Sequence, residues 1–341
     1  MDKDTANTSA AQRTTVSNSR PVKTGFGEIL GETWNMYKKH FKLFSAIFII
    51  PTLIVTAVNG FMMPTFTQSL MGSINEKTGE QFLKFQGPLA TGMLVVILSG
   101  VVIAVINFIT YGAMLRACGE SESGNATVGK SFSFSWGRFW QGIVLSLRIF
   151  YYTMAWIGLL LCVLFLVAIA IAGAMRGAST GMGEQFINQT QVSTGLGLIG
   201  LVAICVLIVV AIVAIIRNLK AVFAFPLFFN DEKITPKEAL DKSIKLSEGI
   251  TGTIFVNYLL MGLLFAVIGG IYGGVVAQGA IAFLPMQSGF SGTFSSVQQM
   301  QIQLDQVLSV LTLPLMVVAG TMGIIFQFVF MKKAAEEKSL Q

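Results

Sequence analysis

The sequence predicts an all-α integral membrane protein with six transmembrane helices. Of its 341 residues, 53% are apolar and only 12% are charged, whereas soluble domains carry roughly 25% charged residues. Each apolar run is long enough to cross a hydrocarbon core of ~30 Å, which takes about 20 residues of helix. The six uncharged runs are Leu43–Met63, Leu89–Leu115, Ile149–Met175, Thr194–Ile216, Gly252–Pro285 and Val307–Met331.

The distribution of basic residues predicts the orientation. If the N-terminus is cytoplasmic, 20 of the 23 lysines and arginines lie on the inner side, and only Lys77, Lys84 and Arg176 lie outside. Positive charge beside apolar runs favours the cytoplasmic side, so both termini are predicted to be cytoplasmic. The net charge of +6 does not indicate nucleic acid, because the basic residues cluster beside the apolar runs.

Three cytoplasmic segments resemble one another and predict internal repeats. The segment Thr127–Trp136 aligns without a gap with Thr235–Ile244, and Thr24–Trp34 matches both with a one-residue shift. We interpret each repeat as an interfacial helix, an outward span, an outer loop and an inward span. All three repeats begin on the same side, so the predicted fold is three parallel repeat hairpins. The predicted divisions are a disordered cytoplasmic tail at 1–22, a membrane domain at 23–333 with repeats at about 24–117, 127–230 and 235–333, and a cytoplasmic tail at 334–341.

Each of these segments reads as an amphipathic helix at the membrane surface. In the third, Thr235 is a good N-cap, Pro236 suits the first turn, and Glu238 completes a capping box. In the other two, aromatic and aliphatic residues recur every three or four positions, as on one face of a helix. These helices are expected to anchor the protein at the bilayer surface, and docking of a cytoplasmic partner is the alternative. The predicted apolar stripes are Phe26, Leu30, Trp34, Tyr37 and Phe41, and then Val128, Phe132, Trp136, Phe139 and Trp140.

Two stretches resemble a known bacterial family. Phe26–Ile50 resembles the opening, and Phe223–Gly249 the centre, of the membrane domain first noticed beside glycerophosphoryl diester phosphodiesterases. The six-span layout is also similar to the uncharacterised YciC-type inner-membrane proteins. The resemblance implies the bacterial cytoplasmic membrane as the location. It does not imply hydrolysis, because in family members that are phosphodiesterases the reaction belongs to a separate soluble barrel.

Residues that could carry catalysis are scarce. The sequence has one histidine, His40, beside Lys38 and Lys39, and all 17 carboxylates lie outside the six apolar runs. Proton-coupled transporters often place acidic residues or histidines at mid-membrane depth, and phosphodiester hydrolysis by metals needs clustered ligands. There is also no phosphate-binding loop and no Cys or His spacing typical of a metal site. We therefore predict no catalytic residues, no cofactor and no metal.

Two features remain as candidate sites. In the fifth run, Gly269 and Gly270 stand four residues before Gly273 and Gly274, a spacing that allows close helix packing. A broken or kinked helix lining a cavity is the alternative interpretation of this run. Near the inner ends of the spans, basic residues are predicted to contact anionic headgroups, with a pocket for a lipid or metabolite phosphate as the alternative. These residues are Arg116, Arg217 and Lys220, with Arg148 nearby.

The sequence thus favours a non-enzymatic multi-pass membrane protein that acts as a scaffold, an assembly partner or a modulator of membrane properties. Its expected partners are the lipid bilayer and either another membrane protein or a second copy of itself, with no nucleic acid. A transporter or pore for a small polar or lipid-like solute is the alternative. A membrane-embedded enzyme is the third class, and no acid, base or nucleophile cluster in the sequence supports it.

Overall fold

A computed structural model describes the backbone at residues 25–74, 82–155, 158, 208–283 and 294–339. Side chains are described at 25–58, 93–155, 158, 208–276, 278 and 311–339. Over these ranges the chain is helical and forms no strand. The helices are α1 Phe26–Lys39, α2 Phe41–Ile74, α3 Phe82–Ser121, α4 Val128–Gly137, α5 at 139–155, α6 at 208–221, α7 Ala224–Asn230, α8 Pro236–Ser247, α9 Thr251–Phe283 and α10 Phe294–Ser339.

Among the described residues, five stretches are long and apolar enough to cross a membrane, as expected of an all-α membrane protein. They are Phe41–Val58, Met93–Ser121, Ile208–Asn230, Thr251–Val276 and Leu311–Ser339. They coincide with the first, second, fourth, fifth and sixth predicted runs. The third predicted run, Ile149–Met175, lies mostly outside the described residues, as does the predicted tail at 1–22.

The buried core lies at the end of the bundle that carries α1, α4 and α8. There α10 packs against α2, α3 and α9, and α3 packs against α7. Four phenylalanines, Phe228, Phe229, Phe326 and Phe330, are at most 1% exposed. Away from this end the long helices expose large apolar side chains, such as Ile97 at 65%. Such a surface is stable only against another apolar phase, such as lipid.

Each short helix packs on a different long segment. α1 lies against α10, α4 lies against α3, and α8 lies against α7. The capping box predicted at Thr235 and Glu238 is confirmed, because each side chain accepts a hydrogen bond from the other residue's backbone N–H. Thr127 caps α4 in a similar way, accepting from the backbone N–H of Lys130.

The fifth predicted run is an uninterrupted helix, α9, from Thr251 to Phe283. The described part of this run therefore contains no break, and the kinked-helix alternative stays a prediction. A helix is interrupted instead at residues 222–223, between α6 and α7, and Pro226 lies in the first turn of α7.

Candidate functional site

The end of the bundle that carries α1, α4 and α8 is called the polar end below. There Arg138, between α4 and α5, joins these helices to the segment that connects α7 and α8. Its guanidinium donates hydrogen bonds to the backbone carbonyls of Phe228 at 2.6 Å, Asp231 at 2.7 Å and Ile234 at 2.5 Å. It also stacks on the Phe228 ring, 3.8 Å from its centroid. The last carbonyls of a helix lack intrahelical partners and favour a cation. Arg138 therefore caps the C-terminal end of α7 and fixes the connection to α8.

The Arg138 side chain is buried, and its charge is compensated locally. Burial lowers its pKa, while the nearby carboxylates of Asp231 and Glu232 raise it. An arginine keeps its charge at neutral pH under such conditions because its ordinary pKa is so high. Sequence reasoning counted Arg138 only among the inner basic residues, since its carbonyl partners lie 90 or more residues away.

Arg116, predicted to contact a headgroup, is held by protein groups. Its Nε is 2.8 Å from Glu120 Oε1 and its Nη2 is 2.7 Å from Glu232 Oε1. Its guanidinium also covers the Phe134 ring at 4.1 Å. These contacts join α3 to α4 and to the connection between α7 and α8. They give Arg116 a structural role and lend no support to a headgroup contact at this residue.

The C-terminal part of α10 is tied to α1 by ion pairs. Lys333 Nζ lies 2.6 Å from Glu28 Oε1 and 3.0 Å from Glu32 Oε2. Lys332 Nζ similarly lies 2.7 Å from Glu122 Oε1, just beyond α3. Exposed pairs of this kind contribute little stability singly. They do establish that residues 28 and 333 lie at the same end of the bundle.

The three short helices α1, α4 and α8, called the surface helices below, each bury a small hydroxyl side chain. Thr33, Ser135 and Ser243 are all 0% exposed. Ser135 Oγ donates to the carbonyl of Ile109 at 2.9 Å, and Ser243 Oγ donates to that of Lys220 at 2.8 Å. These are the positions that the sequence alignment superimposes. Of the predicted apolar stripe in α4 and α5, Trp136 and Trp140 are exposed at 65% and 75% rather than buried against the protein; their predicted role as membrane anchors stays a prediction.

A cavity of about 680 Å³ opens between α5, α6 and α8. Arg217 lies in its wall, donating to the carbonyl of Tyr152 at 2.7 Å, with its guanidinium 5.0 Å from the Tyr152 ring centroid. Lys220 is half-buried one turn further along α6 and is not part of the wall. The described lining residues are Val144, Leu147, Arg148, Tyr151, Tyr152, Ala155, Arg217 and Leu240.

The four glycines predicted to pack helices have open space around them. Apart from the backbone of α9 itself, no atom of the described residues lies within 4 Å of where a Cβ would stand at Gly269, Gly270, Gly273 or Gly274. Within the described chain they therefore have no close helix partner, and packing at these glycines stays a prediction. Close approach occurs elsewhere: a Cβ on Gly112 would lie 2.4 Å from Ser135 Oγ.

Groups suited to metal binding or acid–base chemistry are not clustered in the described part of the chain. No set of three or more histidine, cysteine or acidic side chains there could hold a metal ion. His40, the one histidine, lies outside the spans; burial and then the charge of Lys39 lower its pKa. Its ring packs edge-on against Phe44 at the start of α2.

Comparison with known proteins does not assign this chain to a family. The sequence matches no family model, no curated protein and no solved structure. The resemblance of Phe26–Ile50 and Phe223–Gly249 to the phosphodiesterase-associated membrane domain stays a prediction. Function must therefore be inferred from the arrangement of the side chains themselves.

Proposed function

We propose that this chain is a non-enzymatic bacterial inner-membrane protein that acts as a scaffold, an assembly partner or a modulator of membrane properties. One observation supports this most directly. At the polar end, the described arginines and carboxylates are largely used to hold helices to one another, as at Arg138 and Arg116. A catalytic or transport site needs polar groups directed at a ligand, whereas Arg138 and Arg116 are directed at other groups of the protein.

Six spans are supported by the ion pairs at the polar end. Because Lys333 contacts Glu28, these two residues lie on the same side of the membrane, so the chain between them crosses it an even number of times. The described residues contain five candidate spans. Arg138 contacts the carbonyl of Phe228, so the crossings between these two residues must also be even. Only Ile208–Asn230 is described there, which supports a further span at the predicted run Ile149–Met175.

The packing of the surface helices supports three parallel repeats. α4 lies on α3, the inward span of the first repeat, and α8 lies on α7, which ends the inward span of the second. α1 precedes the first span yet lies on α10, the inward span of the third. Each surface helix therefore contacts the preceding inward span in a closed ring. Thr33, Ser135 and Ser243, which the sequence alignment superimposes, are all buried.

The surface of the polar end supports its position at the membrane boundary. Trp34, Trp136 and Trp140 are exposed at 44%, 65% and 75%, and tryptophan side chains favour the boundary between lipid and water. The lysines and arginines around them favour the cytoplasmic side. The inner face would then lie against the bilayer with both termini in the cytoplasm.

Cross-linking in native membranes tests the scaffold role. A photoreactive residue at Trp136 or Trp140 should capture a stoichiometric membrane-protein partner, or a second copy of this chain. The matched position Ile97, exposed at 65% in a candidate span, should capture lipid. Purified protein should also fail to hydrolyse glycerophosphodiesters and phospholipids. Ordinary turnover abolished by one point substitution would refute the non-enzymatic role.

The cavity beside Arg217 supports a second function, movement of a small polar or lipid-like solute. Its volume of about 680 Å³ falls in the usual range for ligand sites, ~300–1,000 Å³. Protein reconstituted in liposomes should then accelerate flux of a labelled anionic solute or lipid. If flux equals that of protein-free liposomes, the scaffold role is favoured.

A further inference from the structure

The cavity between α5, α6 and α8 is lined by cationic, aromatic and aliphatic side chains. Arg148 and Arg217 are the charged residues among its described lining, and that lining contains no carboxylate. Tyr151 and Tyr152 add aromatic surface, and the remaining residues are aliphatic. An occupant that complements this lining carries negative charge at one point and apolar surface around it.

The two arginines differ in how they are held. Arg217 is oriented by the carbonyl and ring of Tyr152. Arg148 is exposed and makes no hydrogen bond or ion pair with any residue that the structure describes. A guanidinium presents several donors in a plane that matches the oxygens of a phosphate. The pair therefore combines one fixed and one adjustable phosphate-binding group.

The rim of the cavity indicates whether a phosphate-bearing ligand would enter from the lipid or from water. Val144, Leu147 and Tyr151 are exposed at 43%, 62% and 75%, so the cavity opens sideways onto the apolar surface of the bundle. Its other boundary, Leu240 of α8, belongs to the polar end. An opening at this level faces the headgroup region of a leaflet, with acyl chains beside the apolar rim.

A second cavity provides an internal comparison. It measures about 370 Å³ and lies between α1, α9 and α10, with Leu30 and Trp34 in its wall. In the sequence alignment, Leu30 of α1 corresponds to Leu240 of α8, so the two cavities occupy similar places in the ring. The described lining of the second cavity is entirely apolar. Arginines are therefore not needed to build such a cavity, and their presence in the first indicates a ligand.

We propose that this cavity binds the phosphate of an anionic phospholipid from the cytoplasmic leaflet, between the guanidiniums of Arg148 and Arg217. This inference rests on the membrane orientation in the proposed function but not on the scaffold role. The lipid would fill the space between α5 and α6 and brace both helices against α8.

Native mass spectrometry of the purified full-length protein tests the proposal. Phosphatidylglycerol and phosphatidylcholine with identical acyl chains are added in turn, and the bound fraction is measured. Phosphatidylglycerol should bind preferentially, and Arg148→Ala should lower its affinity at least about fivefold. Lys42→Ala, which removes an exposed cation at the start of α2 outside this cavity, should leave binding unchanged.

Arg148→Ala is the decisive variant because Arg148 is exposed and makes no hydrogen bond or ion pair with a described residue, so folding should not depend on it. Arg217→Lys provides a second variant that keeps the charge but loses the planar donor group, and it should weaken binding less than Arg217→Ala. Equal binding of the two lipids, or unchanged binding in Arg148→Ala, would overturn the proposal. Displacement of bound lipid by millimolar inorganic phosphate would assign the site to a soluble phosphate instead. Failure of lipid binding with retained cross-linking to a partner would leave the scaffold role standing.

Discussion

Replacing Arg138 with methionine should strongly destabilise the polar end of the protein. Methionine keeps an unbranched apolar stem but removes every N–H donor. The carbonyls of Phe228, Asp231 and Ile234 would lose their charged partner, and the Phe228 ring would lose its cation.

The expected magnitude follows from burial. Arg138 is 9% exposed, so water replaces few of the lost bonds. A hydrogen bond to a charged group contributes ~1.5–3 kcal/mol, and removing one partner of a buried polar network costs ~3–5 kcal/mol. Water can reach the connection after α7 in part, so we expect a loss of about 3 kcal/mol in the free energy of unfolding.

Thermal unfolding in detergent, followed by circular dichroism, measures the effect. The matched control is Lys130→Met, which removes a cation from the same segment. Lys130 Nζ lies 3.3 Å from Glu120 Oε1, but its side chain is 57% exposed, so the loss should stay under ~1 kcal/mol. The loss of stability in Arg138→Lys should lie between those of Arg138→Met and Lys130→Met, because one ammonium group cannot reach all three carbonyls. If Arg138→Met unfolds at the temperature of the Lys130 control, the structural role of Arg138 is wrong.

Two further predictions concern packing and pH. Gly112→Ala should destabilise the protein by ~1–3 kcal/mol, because its Cβ would lie 2.4 Å from Ser135 Oγ. Gly269→Ala, inside α9 with open space around it, should not destabilise and should gain up to about 1 kcal/mol from its higher helix propensity. Equal destabilisation by the two substitutions would contradict the packing. The hydrogen bonds from Thr235 hold the pKa of Glu238 below its ordinary value of 4.5. The ionised Glu238 carboxylate therefore stabilises the folded protein fully above pH 4.5, and this stabilisation is lost as the pH falls through the lowered pKa of the folded state. Glu238→Gln should remove that part of the pH dependence in acid titrations of unfolding, and an unchanged profile would contradict it.

Much of the fold could be predicted because it depends on local pattern. Uninterrupted apolar length predicts the spans at Phe41–Val58 and Thr251–Val276, and the order of Thr235, Pro236 and Glu238 predicts the start of α8. These features are encoded within one turn or one run of sequence. Their physical causes, transfer of apolar surface and satisfaction of the first N–H groups, require no knowledge of distant residues.

The polar end could not be predicted in the same way, since its contacts join residues far apart in sequence. Arg138 and Arg116 look alike in the sequence as inner basic residues, yet each is committed to partners more than 80 residues away. The glycines that matter for close approach also differ from those that form the visible pattern: Gly112 touches a neighbour, whereas Gly269 does not. The cavity at Arg148 and Arg217 forms only where α5, α6 and α8 meet, and the spacing of residues in the sequence does not reveal that these three helices are neighbours.

Cysteine accessibility in intact cells tests the central claim, a six-span bundle with its surface helices on the cytoplasmic side. Single cysteines at Gly25, Lys237 and Ser339, which are exposed in the structure, should react with a membrane-impermeant maleimide only after the membrane is opened. Cysteines at Glu80 and Glu184 should react in intact cells. The background needs replacement of the three native cysteines, Cys118, Cys162 and Cys205. Labelling of Gly25 and Ser339 from opposite sides would contradict the even number of spans, and labelling of Lys237 from outside would contradict the orientation.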